Sequence, residues 1–168
     1  MQLFVACSVD ANNRGVPLAW ALVPIENKHW WLWFCAHLKN AFQIDERDDF
    51  VIMSDREKGL TPAVEETFPK AKHLYCCQHI SDNVATSFGN KCRPFFWRCA
   101  RAKTSNAFDE ALKELYKVSH SAGEYIKELE HATWTRYAFP FPRYGYDTNN
   151  INESINNSWL DIRRLPIL

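Results

Sequence analysis

The residues of this 168-residue chain best suited to chemistry are two carboxylates, Asp55 and Glu153, and a Cys76-x-x-His79 pair. Asp55 closes the apolar run FVIMSD (50–55), and a turn and a helical pattern follow it. Ligands of parallel and mixed sheets bind beyond the carboxyl ends of the strands, so an acid at that point faces a crevice. The same aspartate would serve equally as a helix N-cap or a turn residue. Glu153 stands three residues after Asn150, the spacing of a capping box. Its other reading is a carboxylate that projects from the first turn of a helix toward a sheet. Taken singly, neither acid is decisive.

Four readings bear on LYCCQHISDN (74–83). A structural zinc wants four ligands, and His73, Cys92 and Cys99 could join Cys76 and His79 only at irregular spacing, so zinc is not expected. A nucleophilic Cys-His pair lacks an oxyanion-hole motif and an orienting acid. The Cys-x-x-Cys of a redox pair is absent. Beside these stands a buried cysteine at a strand end followed by a histidine that caps a helix. Basic residues form two loose groups, Lys91, Arg93, Arg98, Arg101 and Lys103, and Arg163 with Arg164. They are the candidate DNA contacts, with a solvated helix face as the plain alternative.

These side chains need elements to position them. A content of 46% hydrophobic and 24% charged residues suits a globular domain with a sizeable core and sets disorder aside. The formal net charge is zero, so any nucleic-acid contact has to come from a local cluster. The runs LFVACSV (3–9) and VPLAWALVP (16–24) fall short of the roughly 20 residues that span a bilayer, and no membrane partner is expected. The N-terminus reads as a strand rather than a signal peptide. With six scattered cysteines, that suggests reduced thiols in a nuclear or cytoplasmic protein.

LFVACSV, DANNRG and VPLAWALV predict an antiparallel hairpin, and their near-continuous apolar character predicts strands buried on both faces. Asn27 is a plausible N-cap for a helix over 29–42, with Trp30, Trp33, Phe34, His37, Leu38 and Ala41 at helical spacing and the hairpin as its packing partner. A strand ending at Asp55, a short helix stopped at Pro69, a strand at 72–76 and a helix from about 79 to 89 follow. The order β-β-α-β-α-β-α implies a mixed sheet with helices on its faces. From Pro94 to about Ala138 the pattern is all-helical; an aromatic and proline loop, YAFPFPRYGYD (137–147), leads to a last helix that starts near Asn149 or Asn150.

Together, DANNRGVPLAWALVPIENKHWWLWFCAHL, VIMSDREKGLTPAVEETFPKAKHLYCCQHI and the closing TNNINESINNSW with DIRRLPI resemble, in order and spacing, the MULE (Mutator-like element) transposase domain over essentially the whole chain. The most specific part is the block of strand, Ser-Asp, Lys-Gly-Leu, Ala-Val-x-x-x-Phe-Pro and Cys-x-x-His. The resemblance implies an α/β, RNase H-like fold: a mixed sheet with flanking helices in a core at 1–92, a helical insertion at 93–147, and a last core helix at 148–168 that carries the glutamate. It implies DDE transposase chemistry on DNA at transposon ends, with two Mg²⁺ or Mn²⁺ ions, hard cations that take oxygen ligands. Asp55 then matches the second catalytic aspartate and Glu153 the glutamate, both as metal ligands. Cys76 and His79 match the Cys-x-x-His signature, which leaves Cys77 incidental. His79 would lie at the carboxyl edge of the sheet, placed to meet a DNA phosphate or a metal-bound water. A homo-oligomer is compatible with this reading, and a small-molecule substrate is not expected.

In that family the first catalytic aspartate lies in an Asp-Gly-Thr-like strand upstream of the hairpin, and Asp10, a turn residue, does not replace it. The expectation is therefore two of three acids, a sheet with an unpaired edge, and no strand cleavage by this chain alone. Two readings from other classes stay open: a non-catalytic, transposase-derived DNA-binding or transcription-regulating protein, as in plant relatives of the family, and a decayed gene product.

Overall fold

A computed structural model describes residues 1–44, 48–151, 154 and 155. Glu153, Arg163 and Arg164 lie outside the described residues. The fold is mixed α/β, in two compact units: the described residues of 1–50, 57–71 and 149–155 form one, and 51–56 with 72–148 form the other.

In the first unit, strands β1 (Gln2–Val9) and β2 (Gly15–Val23) pair antiparallel, Val5 opposite Trp20 and Phe4 opposite Ala21, with a bulge between Ala6 and Cys7. Asp10 builds the turn: its carboxylate accepts from the backbone N–H of Asn12 at 2.8 Å and of Arg14 at 2.9 Å, while Asn13 takes a left-handed φ of 60°. An aspartate that bonds the backbone two residues on is a turn former, and its turn sets the hairpin register. Helix α1 (Lys28–Phe42) begins where the Asn27 side chain accepts from Trp30 N–H at 3.1 Å. It lays Trp30, Trp31, Phe34 and Leu38 on Phe4 and Val23, with Phe4 stacked on Trp31 at 3.6 Å. Trp33 and His37, expected in the same stripe, face outward and meet each other in a tilted ring contact at 4.5 Å. A helix with aromatic residues on several sides does not reveal its buried face by spacing alone.

The hairpin is buried on one face, not two. Phe4 and Val23 are buried, whereas Val16, Leu18, Trp20 and Leu22 are exposed, Trp20 at 55%. Successive strand side chains alternate between faces, and α1 packs on one of them. At Gly15 the chain meets the helix that begins at Asn150: a methyl there would lie 2.6 Å from Ile151 Cγ2. Helix α2 (Leu60–Thr67) starts where the Glu57 carboxylate accepts from the N–H of Gly59 and Leu60, and it ends ahead of Pro69. Gly59 lets the start of α2 approach the start of α1, since its missing Cβ would sit 2.6 Å from Lys28 N and 2.8 Å from Asn27 C.

In the second unit, β3 (Val51–Ser54) and β4 (Lys72–Tyr75) pair in parallel, Ile52 opposite His73 and Met53 opposite Leu74. The helices α3 (Cys77–Phe88), α4 (Arg93–Arg101), α5 (Ser105–Val118) and α6 (His120–Glu128) follow. The helical stretch is divided at Ser119, whose hydroxyl accepts from Ala122 N–H and caps α6. Ile80, Val84, Phe96, Phe108, Leu115, Ile126 and Trp134 form a continuous core. Among the described residues the strands form two separate two-stranded sheets, β1-β2 and β3-β4, rather than one mixed sheet. The outer edges of β1 and β3 carry no ladder there. No helix among these residues is long and apolar enough to cross a membrane.

Gly59 yields a direct test. Its Cβ would press on backbone atoms, which cannot rotate away, so Gly59→Ala is expected to destabilise the protein by about 1–3 kcal/mol, read as a lower urea midpoint at unchanged m-value. An unchanged midpoint would show that the α1–α2 approach is looser than this geometry.

Candidate active site

Asp55 follows the last ladder residue of β3, and Cys76 follows the last of β4. The Cys76 N–H donates to the Ser54 carbonyl at 2.7 Å, so the two residues leave the parallel pair side by side at its carboxyl end. Asp55 is half-buried there. Cys76 is fully buried and occupies the N-cap position of α3, without a side-chain capping bond. The helix begins at Cys77, two residues sooner than its spacing predicts, which puts His79 inside the first turn rather than at the cap.

Both chain neighbours of Asp55 are anchored. The Ser54 hydroxyl donates to the Asp55 carbonyl at 2.6 Å and lies 2.8 Å from His73 Nε2. A hydroxyl has one proton to give, so the His73 Nε2–H is the donor in the second bond. Burial lowers the His73 pKa from 6.5 to about 4, which keeps the ring neutral at pH 7, and its buried Nδ1 has no hydrogen-bond partner. On the other side, the Arg56 guanidinium donates to the Tyr125 hydroxyl at 2.5 Å and lies over that ring, 5.9 Å from its centroid.

Next to Cys76, Cys77 is tied into the fold by three contacts. Its N–H donates to the Asp147 carbonyl at 2.8 Å, its thiol donates to the Trp134 carbonyl at 3.3 Å, and Arg143 Nη2 lies 3.7 Å from the sulfur. Burial pushes its pKa up to about 11, so the thiol is protonated and inert as a nucleophile. None of the six cysteines is in a disulfide. Asp147, 5% exposed, is held by three guanidiniums. Arg136 donates to it through Nε at 3.0 Å and Nη2 at 2.6 Å, Arg143 Nη2 is 3.3 Å away, and Arg101 Nε donates at 3.3 Å. Nothing in the spacing of these four residues announces the cluster; a positive φ at Tyr144 and Gly145 folds the loop so that Arg143 and Asp147 meet.

The basic candidates Lys91, Arg93 and Arg98 lie just before α4 and in it. Lys91 is exposed in the 3-10 turn Asn90–Cys92. Arg93 pairs with Asp82 at 2.6 Å. Arg98 lines a recess with Glu110 and Glu114, and its charge helps lower the Glu114 pKa after the larger effect of Lys117. Of the sequence-predicted site residues, the structure brings Asp55 and Cys76 together, sets His79 in the first turn of α3, and places Arg101 on Asp147.

Asp55 offers carboxylate oxygens of the class that Mg²⁺ or Mn²⁺ takes. Among the described residues no group of three His, Cys, Asp or Glu side chains is arranged to hold a metal ion.

Residues 1–83 match the MULE transposase domain. The matched stretch runs from β1 into α3 and includes Asp55, Cys76 and His79. Helices α4 to α6, Asp147 and the Asn-x-x-Glu-Ser segment lie beyond it. No curated protein matches the chain. Within the MULE stretch, the Lys-Gly-Leu motif contains the glycine that closes α2 on α1, and the Ser-Asp motif contains the hydroxyl that bonds His73 and the Asp55 carbonyl.

The neutral His73 gives stability a pH dependence of definite sign. Folded, it stays unprotonated down to about pH 4, whereas an unfolded histidine takes up its proton near 6.5. The unfolded state binds more protons in that window, so stability falls as pH drops from 6.5 toward 4. His73→Gln is expected to flatten this part of the urea-midpoint-against-pH curve; parallel curves for the two proteins would contradict a neutral His73.

Proposed function

We propose that the chain is part of a Mutator-like DDE transposase, acting by metal-dependent cleavage and transfer of DNA strands. The observation that carries the reading is the position of Asp55. It stands at the carboxyl end of a parallel strand pair, in the stretch that matches the MULE domain, with Cys76 beside it and Ser54 and Arg56 both anchored. On this reading β1 to β4 are strands of an RNase H-like fold. The helices from α4 to α6 are its insertion.

Asp55 and Glu153 would hold the divalent ions, and ions bound there would supply charge to the phosphoryl oxygens and to the attacking hydroxyl. The chain's own residues do the positioning. Ser54 and His73 fix the Asp55 carbonyl, and the Arg56–Tyr125 bond fixes the next residue, so the carboxylate springs from backbone that is held on both sides. Hydrolysis or transesterification then requires little covalent chemistry from the protein, and catalysis is a matter of placement and charge.

Calorimetric titration with Mn²⁺ tests the assignment. Loss of an outer-shell partner costs a metal site about 10–100-fold in affinity, and loss of a direct ligand at least that, so Asp55→Asn and Glu153→Gln are each expected to weaken Mn²⁺ by tenfold or more. Equal affinity in wild type and Asp55→Asn would overturn it. Duplex DNA binding by a wild-type protein that takes up no Mn²⁺ would favour the non-catalytic regulator.

A further inference from the structure

We propose that Arg101 and Arg136, held together on Asp147, form a binding site for the phosphate backbone of duplex DNA beside the Asp55 edge. The inference rests on the transposase reading for the identity of the partner, and on the charges around Asp147 for the site itself.

Three guanidiniums converge on one carboxylate, which leaves two positive charges in surplus. Arg143 is committed to the interior: its side chain is 5% exposed, and it donates to the Trp134 carbonyl at 2.7 Å and the Tyr146 carbonyl at 3.3 Å besides touching Asp147. Arg136 already meets Asp147 through two nitrogens. A third guanidinium adds little to a carboxylate so occupied and brings like charges close, yet Arg101 is there, 58% exposed, making one 3.3 Å bond. Its guanidinium lies over the Trp97 ring at 4.6 Å, which holds the charge in a fixed place. Arg136 is 30% exposed, so both side chains keep donors toward solvent. Two planar guanidiniums side by side suit a phosphodiester, which accepts charge-assisted bonds in just such pairs.

The location agrees with the occupant. Asp147 accepts the Cys77 N–H, and Cys76, one residue earlier, is bonded to Ser54, which precedes Asp55. Two backbone hydrogen bonds therefore link the arginine cluster to the candidate metal ligand. The other two arginines of α4 before Arg101 lack the surplus: Arg93 faces Asp82, and Arg98 faces Glu110 and Glu114. With the whole chain at zero net charge, a local excess is what a polyanion would find.

The test measures affinity for a fluorescent 30-base-pair duplex as salt is raised, in wild type, Arg101→Ala and Arg98→Ala. The slope of log affinity against log salt is expected to become shallower by about 0.9 in Arg101→Ala, one phosphate contact, and to stay unchanged in Arg98→Ala. Duplex should also shift the NMR signals of the Arg101 and Arg136 Nη–H groups, since both Nε–H groups are taken by Asp147. An unchanged slope in Arg101→Ala, or unmoved Nη–H signals, would overturn the site and leave the transposase reading standing on Mn²⁺ binding at Asp55. Displacement of the duplex by an equal concentration of inorganic phosphate would overturn it as a backbone site, since it would then take free anions. A wild-type protein that binds no duplex would overturn the site and the reading's DNA partner together.

Discussion

A buried carboxylate held by three guanidiniums organises the region around the candidate site. Asp147 is 5% exposed, and a charge out of water is tolerable only when it is paired and hydrogen-bonded. Its partners come from different parts of the chain: Arg101 from the end of α4, Arg136 from the segment after Trp134, and Arg143 from the loop that leads back to Asp147. Its backbone carbonyl receives the first N–H of α3. One residue thus ties the start of one helix to the end of another and closes the loop over both. Breaking such a pair from one side leaves an uncompensated buried charge, a loss of about 3–5 kcal/mol.

The same economy of restraint surrounds Asp55. A short parallel strand pair is weak alone, and its two strands are four residues each. It is completed by the Cys76–Ser54 backbone bond, by the neutral His73 on the Ser54 hydroxyl, and by Arg56 on Tyr125 of α6. These contacts hold the backbone on either side of the acid. Sites held by locked neighbours are precise where loops alone are not.

Much of this order was legible in the sequence, and the reasons differ by element. The hairpin was readable because Asp10 and Asn13 supply turn chemistry between two β-rich runs, and α1 because Asn27 caps it. The strand bearing Asp55 and the alternation that follows it were readable from short apolar runs ended by polar punctuation. The face of α1 was not, since Trp30, Trp31, Trp33 and Phe34 surround it with similar side chains. The arginine cluster was equally silent. Arg101 stands 46 residues from Asp147 and Arg136 stands 11, and only a folded loop brings them to one point. Cys77 looked dispensable beside a signature that names Cys76, yet its backbone and thiol join α3 to that loop.

The central claim is that the carboxyl end of β3 is a divalent-metal site. Anomalous diffraction from crystals soaked in Mn²⁺ addresses it directly. The account predicts a Mn²⁺ peak within coordination distance of an Asp55 carboxylate oxygen, about 2.0–2.2 Å for a small octahedral ion, and its loss in Asp55→Asn. Mn²⁺ bound elsewhere with nothing at Asp55, or a peak that survives Asp55→Asn, would contradict it.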